Sequence, residues 1–241
     1  MEDIRNPHDK LFREIWSRKP EAQSFLEHYV PENVRQLIEP GTLEICKDSF
    51  IDQELRDYFS DMLYKVVLQG EAGMCIYCLS TKVIRIVLSL RSYLEYMVKI
   101  WRLHLKQQKT SIPRTTMAVR LPVILPIVLY HGNQAWPHGT HFADLLSESK
   151  KTLAAYIPDF AMILTDLTRY SDEDIKGTVL SQVILLLFKY ISHPEFRPKL
   201  PEIFALMHKL SQQEHGLQYL ELILRYIVVR PKMFRQKNVS A

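Results

Sequence analysis

The sequence predicts an α/β fold: a small mixed sheet built on a central hairpin and flanked by helices. Three observations carry that expectation. Two short apolar runs, residues 62–68 and 74–79, are separated by Q-G-E-A-G. Apolar runs joined by a short Gly-containing loop read as a β-hairpin. Residues 83–111 contain neither Gly nor Pro and place Ile84, Val87, Leu88, Leu94, Met97, Val98, Trp101 and Leu105 at helical spacing. Residues 121–129, L-P-V-I-L-P-I-V-L, are nearly continuous apolar sequence, as in an interior strand.

The remaining elements follow in order. Leu11, Phe12, Ile15 and Trp16 give residues 7–18 an amphipathic helical pattern. Pro20 opens a second helix to about 29, and Pro31 a short third to about 38, closed by Pro40-Gly41. Residues 43–46 read as a short strand. Asp52, Glu54 and Asp57 lie on a polar connector before Asp61. The long helix from 83 carries Lys99, Arg102, Lys106 and Lys109 on its polar face. Pro126 removes a ladder donor from the strand at 121–129 and marks it as edge-like or bulged. His131, His138 and His141 follow in one loop, without the regular spacing of metal ligands. Residues 145–155 read as a short helix and 160–167 as a strand, with Asp166 near its end as a turn or cap residue. Ser171 and Asp174 have the spacing of a reciprocal cap for a helix from 172 to about 191. Pro194, Pro198 and Pro201 mark a break before helices at 201–211 and 215–229, the last ended by Arg230-Pro231.

The 241 residues can bury one substantial core and a small appendage. No run of about 18 apolar residues exists, so no transmembrane helix and no membrane partner are expected. The start, M-E-D-I-R-N-P-H-D-K, is neither a signal nor a transit peptide, and a cytoplasmic protein follows. Three cysteines, Cys46, Cys75 and Cys78, do not make a disulfide framework; residues three apart on a strand face opposite ways, so Cys75 and Cys78 read as core thiols. Charge is unevenly spread. Residues 82–120 hold nine Lys or Arg and one acid, Glu95, and residues 225–237 hold five basic residues and no acid. Such asymmetry suits a polyanion such as DNA.

One acid, Asp61, stands just before the first hairpin run, and one base, Lys82, just after the second. This arrangement resembles the middle strands of a PD-(D/E)XK nuclease core. Five stretches in order extend the likeness: H-D-K-L-F-R-E-I-W-S, F-I-D-Q-E-L-R-D-Y-F-S-D-M-L-Y-K-V, Y-L-E-Y-M-V-K-I-W, L-P-V-I-L-P-I-V-L-Y-H-G and L-T-D-L-T-R-Y-S-D-E-D-I-K-G. On these the chain is identified as a member of the recombination-promoting nuclease family, also called YhgA-like transposases. The resemblance implies a restriction-endonuclease-like core over residues 1–192, with residues 193–241 as a C-terminal helical extension ending in a basic tail. It implies a DNA endonuclease linked to recombination or mobile elements, not a DDE-type transposase.

Within that scheme Asp61 binds Mg²⁺ or Mn²⁺, and Lys82 positions the attacking water and offsets charge. Family members carry Glu two residues before this Lys; here that position is Ser80. A Gln expected on the following helix is Ser92. Loss of the carboxylate weakens or abolishes metal binding unless another acid, Glu95, compensates. Lys99, Arg102, Lys106 and Lys109 are the expected DNA contacts, and Asp9 and Asp166 the expected modulating acids. The rival expectation is a catalytically inactive relative that binds DNA or a partner protein. Nucleases of this type that cut both strands often work as dimers, so a homodimer is a further expectation.

Overall fold

The computed structural model describes residues 7–46, 62–80, 83–109, 120–146 and 152–237, with the side chains of 76–89, 92, 107–109 and 229–237 outside that description. The chain divides into two compact units. One takes its described residues from Met1–Val30, Tyr130–Ala135 and Asp166–Ala241; the other is Pro31–Leu129 with Trp136–Thr165. The α/β class expected from the sequence is present, and the sheet is mixed and five-stranded, in the order β1-β2-β3-β4-β5.

The hairpin organises the sheet unit. Strands β2 (Met62–Leu68) and β3 (Glu71–Ser80) pair antiparallel from Leu68↔Glu71 to Met62↔Tyr77. The reversal needs two residues, not the five expected. Gln69 and Gly70 both have positive φ, 49° and 80°, the pattern of a type I′ turn whose twist matches that of the strands. Gly70 N donates to the Glu39 carboxylate over 2.7 Å. Gly73 therefore lies inside β3, opposite Val66, where an added Cβ would come within 2.5 Å of Leu68 Cδ1. It is a packing glycine.

The two-residue β1 (Glu44–Ile45) pairs antiparallel with β2 and forms one edge. Strand β4 (Val123–Tyr130) lies between β3 and β5 (Ile163–Asp166). The strand is interior in the sheet order, as its apolar run predicts; β5 is half the length of β4 and so borders only part of that strand, in which Pro126 lies. Helix α3 (Glu32–Arg35) is one turn, shorter than expected.

Helix α4 (Val83–Lys109) connects β3 to β4. Its buried line is Leu90, Tyr93, Tyr96, Met97 and Ile100. Of the expected apolar stripe's described side chains only Met97 is in this line; Leu94, Val98, Trp101 and Leu105 flank it, half-buried, and the side chains of Ile84, Val87 and Leu88 lie outside the described ones. The two tyrosines shift the buried face, because each buries a large ring that hydrophobicity counting treats as borderline. Trp101 keeps its indole N–H at the flank, where it donates to the Pro122 carbonyl over 2.9 Å. At the two ends of the helix expected over 145–155 the described residues form 3-10 turns, Phe142–Leu145 and Ala154–Tyr156; residues 147–151, its middle, lie outside the described residues.

The second unit is helical: α1 (Pro7–Trp16), α2 (Lys19–Tyr29), α5 (Val179–Tyr190), α6 (Phe196–Ser211) and α7 (Gly216–Lys237). The four apolar residues expected on α1 are all buried. Trp16 stacks on Phe12 and on Phe188, with centroids at 4.9 and 6.3 Å. The Ser171–Asp174 cap forms as expected, Ser171 Oγ donating to Asp174 Oδ2 over 2.7 Å, but it closes an isolated turn. Gly177, at φ 116°, breaks the chain there, and α5 starts seven residues later than expected, capped by Thr178. Pro198 and Pro201 lie within α6 instead of preceding it. Pro198, third in the helix, removes an N–H that has no partner in the first turn, whereas Pro201, sixth in the helix, lacks the N–H that would bond back to the Arg197 carbonyl, and the helix continues through it. Helix α7 likewise continues through Pro231 to Lys237.

Candidate functional site

The sheet unit has one hairpin end closed by the Gln69-Gly70 turn and one open end. The register Met62↔Tyr77 sets the first residue of β2 opposite a residue three positions before Ser80, the last of β3, so Met62 and Ser80 belong to the same end. Asp61 precedes Met62 directly and Lys82 precedes Val83, the first residue of α4. Asp61 and Lys82 themselves lie outside the described residues, as does the side chain of Ser80; for Ser80 the backbone position, the last of β3, is fixed. The strands behind this end are apolar and buried at Leu63, Tyr64, Val66, Met74 and Cys75. Burial pushes the Cys75 thiol up to about 12, and burial also raises Cys46, to about 11, so both are inert core thiols.

Helix α4 continues from this end with a polar stripe. Arg91, Glu95, Lys99, Arg102 and Lys106 recur at intervals of three or four residues and therefore share one face. Arg91, Glu95, Arg102 and Lys106 are exposed, and Lys99 is half-buried. Glu95, the acid expected to compensate for Ser80, accepts from Arg91 Nε over 3.1 Å. The side chains of Ser92 and Lys109 lie outside the described residues.

Asp9 sits half-buried in the first turn of α1. Asp166 ends β5 and is buried. Its Oδ1 accepts from Thr168 N over 3.0 Å and Thr168 Oγ1 over 2.7 Å, and Arg169 Nε lies 3.2 Å from Oδ2. This is the turn-capping geometry expected of it. Burial first, and the Asp166 charge second, push the Tyr130 phenol above its usual value.

Among the described residues no group of three or more His, Cys, Asp or Glu has the geometry of a metal site. The three loop histidines do not act as one group. His131 is buried and donates from Nδ1 to the Phe188 carbonyl over 3.2 Å. His141 Nδ1 is 3.0 Å from Asp159 Oδ2. Burial opposes ionisation of Asp159, but the Ala143 N–H and His141 outweigh it and hold the carboxyl below its ordinary value.

Three polar clusters of the helical unit escaped the sequence reading. Buried Glu21 accepts from Thr178 Oγ1 over 2.5 Å and from Ser181 Oγ, at the N-terminus of α5. Asp172 accepts from Lys189 Nζ over 2.6 Å, from Tyr190 Oη over 2.7 Å, and pairs with Lys199. Burial alone would raise the Asp172 carboxyl; those donors outweigh it and lower it. His8 Nδ1 and Tyr226 Oη are 2.6 Å apart in a buried contact 218 residues apart in sequence. No local spacing rule reaches that far. The H-D-K motif singled out His8 as a residue without indicating its partner.

A sheet whose hairpin ends in a short polar segment feeding a basic helix defines a class: an α/β protein with its candidate chemistry at one strand end. Comparison with known proteins narrows this. Residues 6–218 match the family described as "Putative transposase, YhgA-like", and the chain belongs to that family. The recombination-promoting nuclease RpnA of Escherichia coli K12 is 28% identical over 193 residues, which cover 77% of this chain and 60% of RpnA. The inactive recombination-promoting nuclease-like protein RpnE of the same strain is 26% identical over 216 residues, covering 89% of this chain and 69% of RpnE. RpnD of Escherichia coli O157:H7, also named a recombination-promoting nuclease, is 22% identical over 201 residues, 83% of this chain and 74% of its own. No solved structure gives a significant match. Among the described residues no helix is long and apolar enough to cross a membrane.

Proposed function

We propose that this chain is a DNA endonuclease of weakened activity that acts in the cytoplasm and requires Mg²⁺ or Mn²⁺. The observation that carries this is the hairpin register, which assigns the start of β2 and the end of β3 to one end of the sheet in a family with relatives named nucleases. Asp61 and Lys82 adjoin those two points in sequence. The donor set fits a hard divalent cation in kind: the Asp61 carboxylate and the Ser80 hydroxyl are both oxygen donors. It is one negative charge short of a two-carboxylate site. Mg²⁺ is often held by one or two carboxylates together with substrate phosphates and waters, so Asp61 remains sufficient for weak binding. When bound, the ion supplies Lewis-acid polarisation of the phosphate.

The chain's own residues do the rest. Lys82 orients a water beside the phosphate and offsets negative charge as it develops on the oxygens. Arg102 and Lys106, with Lys99 and Lys109, hold the phosphate backbone along α4 by charge, so binding weakens steeply as salt rises. Such contacts position the duplex without reading its sequence.

A second reading has its own support. Ser80 replaces the family Glu, and RpnE, which matches 89% of this chain, is named an inactive nuclease-like protein. On this reading the protein binds DNA or a protein partner without cutting. Plasmid cleavage in Mg²⁺, Mn²⁺, Ca²⁺ or EDTA separates the two. Nicking by wild type that Asp61→Ala abolishes supports the endonuclease. An inert wild type that Ser80→Glu turns into a nuclease supports the inactive relative. If neither protein cuts, the nuclease reading fails.

A further inference from the structure

Two histidines, His8 of the H-D-K stretch and His131 of the Y-H-G stretch, play no part in the proposed chemistry. The helical unit brings them together. Their ring centroids lie 4.8 Å apart, and both side chains are buried, at 4% and 6% exposure. Two further rings complete the cluster. Phe188 of α5 stacks on His131 with centroids at 5.0 Å, and Tyr226 of α7 meets His8 edge-on at 5.4 Å. His8 belongs to α1 and His131 follows β4, so four separate segments of the chain meet at these rings.

The hydrogen bonds of the pair suit neutral imidazoles. His131 Nδ1 bonds to the Phe188 carbonyl over 3.2 Å, and His8 Nδ1 to the Tyr226 hydroxyl over 2.6 Å. Both of these partners are uncharged. An imidazolium here would exchange its water for them, which disfavours the charged form, and two imidazolium ions this close would repel. Ring faces attract a cation, but by less than the hydration it gives up. The charged side chains of the packed elements are directed elsewhere. On α1, Asp9 is turned about 100° from His8 around the helix. On α5, Lys189 donates to Asp172 and to the Tyr170 carbonyl. At the end of β5, Asp166 accepts from Thr168 and pairs with Arg169. On α7, Arg225 is exposed and paired with Glu221. Beside His131, the Tyr130 phenol donates to the Gln134 carbonyl.

We propose that the His8–His131 pair is an acid-sensitive clasp: both imidazoles are neutral while α1, α5, α7 and the chain after β4 pack together, and proton uptake releases them. Nothing in this depends on Asp61, Ser80 or Lys82. A solvated imidazole takes up a proton at about pH 6.5. Below that value the opened unit binds up to two more protons than the closed one, so closure is fully stable above about pH 7 and weakens as the pH falls. Between about pH 7 and about pH 5.5 the opening constant should rise roughly seventyfold if both imidazoles ionise on opening, and roughly eightfold if one does. Hydrogen exchange of the full chain, corrected for its intrinsic pH dependence, reads that constant at the best-protected amides of α1 and α7. Wild type should lose protection by the larger factor. His8→Asn and His131→Asn, which keep a polar atom near the Nδ1 position, should each lose it by the smaller one. An NMR titration of the wild-type imidazoles, assigned through their contacts with the Phe188 and Tyr226 rings, needs neither variant; both should stay neutral down to about pH 5.5. If either imidazole of the pair takes a proton near pH 6.5 with the fold intact, the inference is overturned. Protection in α1 and α7 that is the same at both pH values overturns it too, as does a loss as large in the variants as in wild type.

Discussion

Among the described residues, the two units differ in buried charge. In the helical unit the carboxylates of Glu21, Asp166 and Asp172 are withdrawn from water, and each is held by donors from its own unit. In the sheet unit the interior is apolar, and Lys65, Glu71, Arg91, Glu95, Arg102, Lys106 and Arg120 are all exposed. Buried charges are fixed by the fold and are poor candidates for meeting a partner. Exposed charges on a regular element remain accessible to one. The expected nucleic-acid contacts Arg102 and Lys106 on α4 are of this exposed kind.

The largest effect that tests the contrast comes from Glu21→Ala. The carboxylate accepts two hydroxyl donors in a buried setting, and hydrogen bonds to a charged group contribute roughly 1.5–3 kcal/mol each. Removing it also strands the Thr178 and Ser181 hydroxyls at the start of α5. A loss of about 3 kcal/mol is expected in urea unfolding, against less than about 0.5 kcal/mol for Lys65→Ala in the sheet unit. Equal losses for the two variants would erase the distinction between the units.

Asp172→Asn comes next, at about 2 kcal/mol, because it breaks a nearly buried pair with Lys189 and Lys199. Here the sign with pH is definite. The folded carboxyl lies below its ordinary value of 3.8, so its contribution is fully present above that value and is lost as the pH falls through the lower folded one. Wild type should therefore lose stability on acidification below about pH 4, and Asp172→Asn should lose less over the same interval. Parallel curves for the two proteins in that acid range would show that the pair does not couple to folding.

A glycine pair sharpens the comparison at the level of packing. An added Cβ at Gly132 would lie 1.9 Å from Tyr130 Oη, which donates to the Gln134 carbonyl over 3.0 Å. Gly132→Ala must displace that buried ring and should cost about 2 kcal/mol. Gly70 has open space around it, and its demand is conformational only, at φ 80°. Gly70→Ala should cost about 1 kcal/mol. Thermal unfolding of both variants checks the order; a reversed order would mean that the turn, not the ring contact, limits stability.

These positions also show what was legible in advance. The strand limits at Met62 and Leu68 follow from local composition, and so does the burial of Leu11, Phe12, Ile15 and Trp16. Period and apolarity act within a few residues, so a sequence displays them. The two-residue turn was obscured because both Gly70 and Gly73 signal a reversal, and only the cross-strand contact with Leu68 tells them apart. The start of α5 was misplaced because Ser171 and Asp174 form a real cap, and the break at Gly177 follows it. For the candidate site, Asp61, Ser80 and Lys82 came from motif likeness; Asp61, Lys82 and the Ser80 side chain lie outside the described residues, and the register of β2 with β3 fixes only that the start of β2 and the end of β3 share one end of the sheet. The Glu21, Asp172 and His8 clusters depend on partners 17 to 218 residues away, so only the folded chain brings them into view.

The smallest effect bears most directly on the site. Arg91 and Glu95 form an exposed i, i+4 pair, 74% and 53% accessible. Such a pair contributes at most about 0.5 kcal/mol, so Arg91→Ala should leave unfolding nearly unchanged. Its consequence for metal dependence is separate. If Glu95 replaces the carboxylate missing at Ser80, Arg91 competes with the cation for it, and Arg91→Ala should tighten Mn²⁺ binding while Glu95→Ala weakens it. Titration calorimetry with Mn²⁺ alone measures both without any cleavage. If neither substitution moves the affinity, Glu95 is a surface partner of Arg91, and whatever metal binding the protein has rests on Asp61 without help from α4.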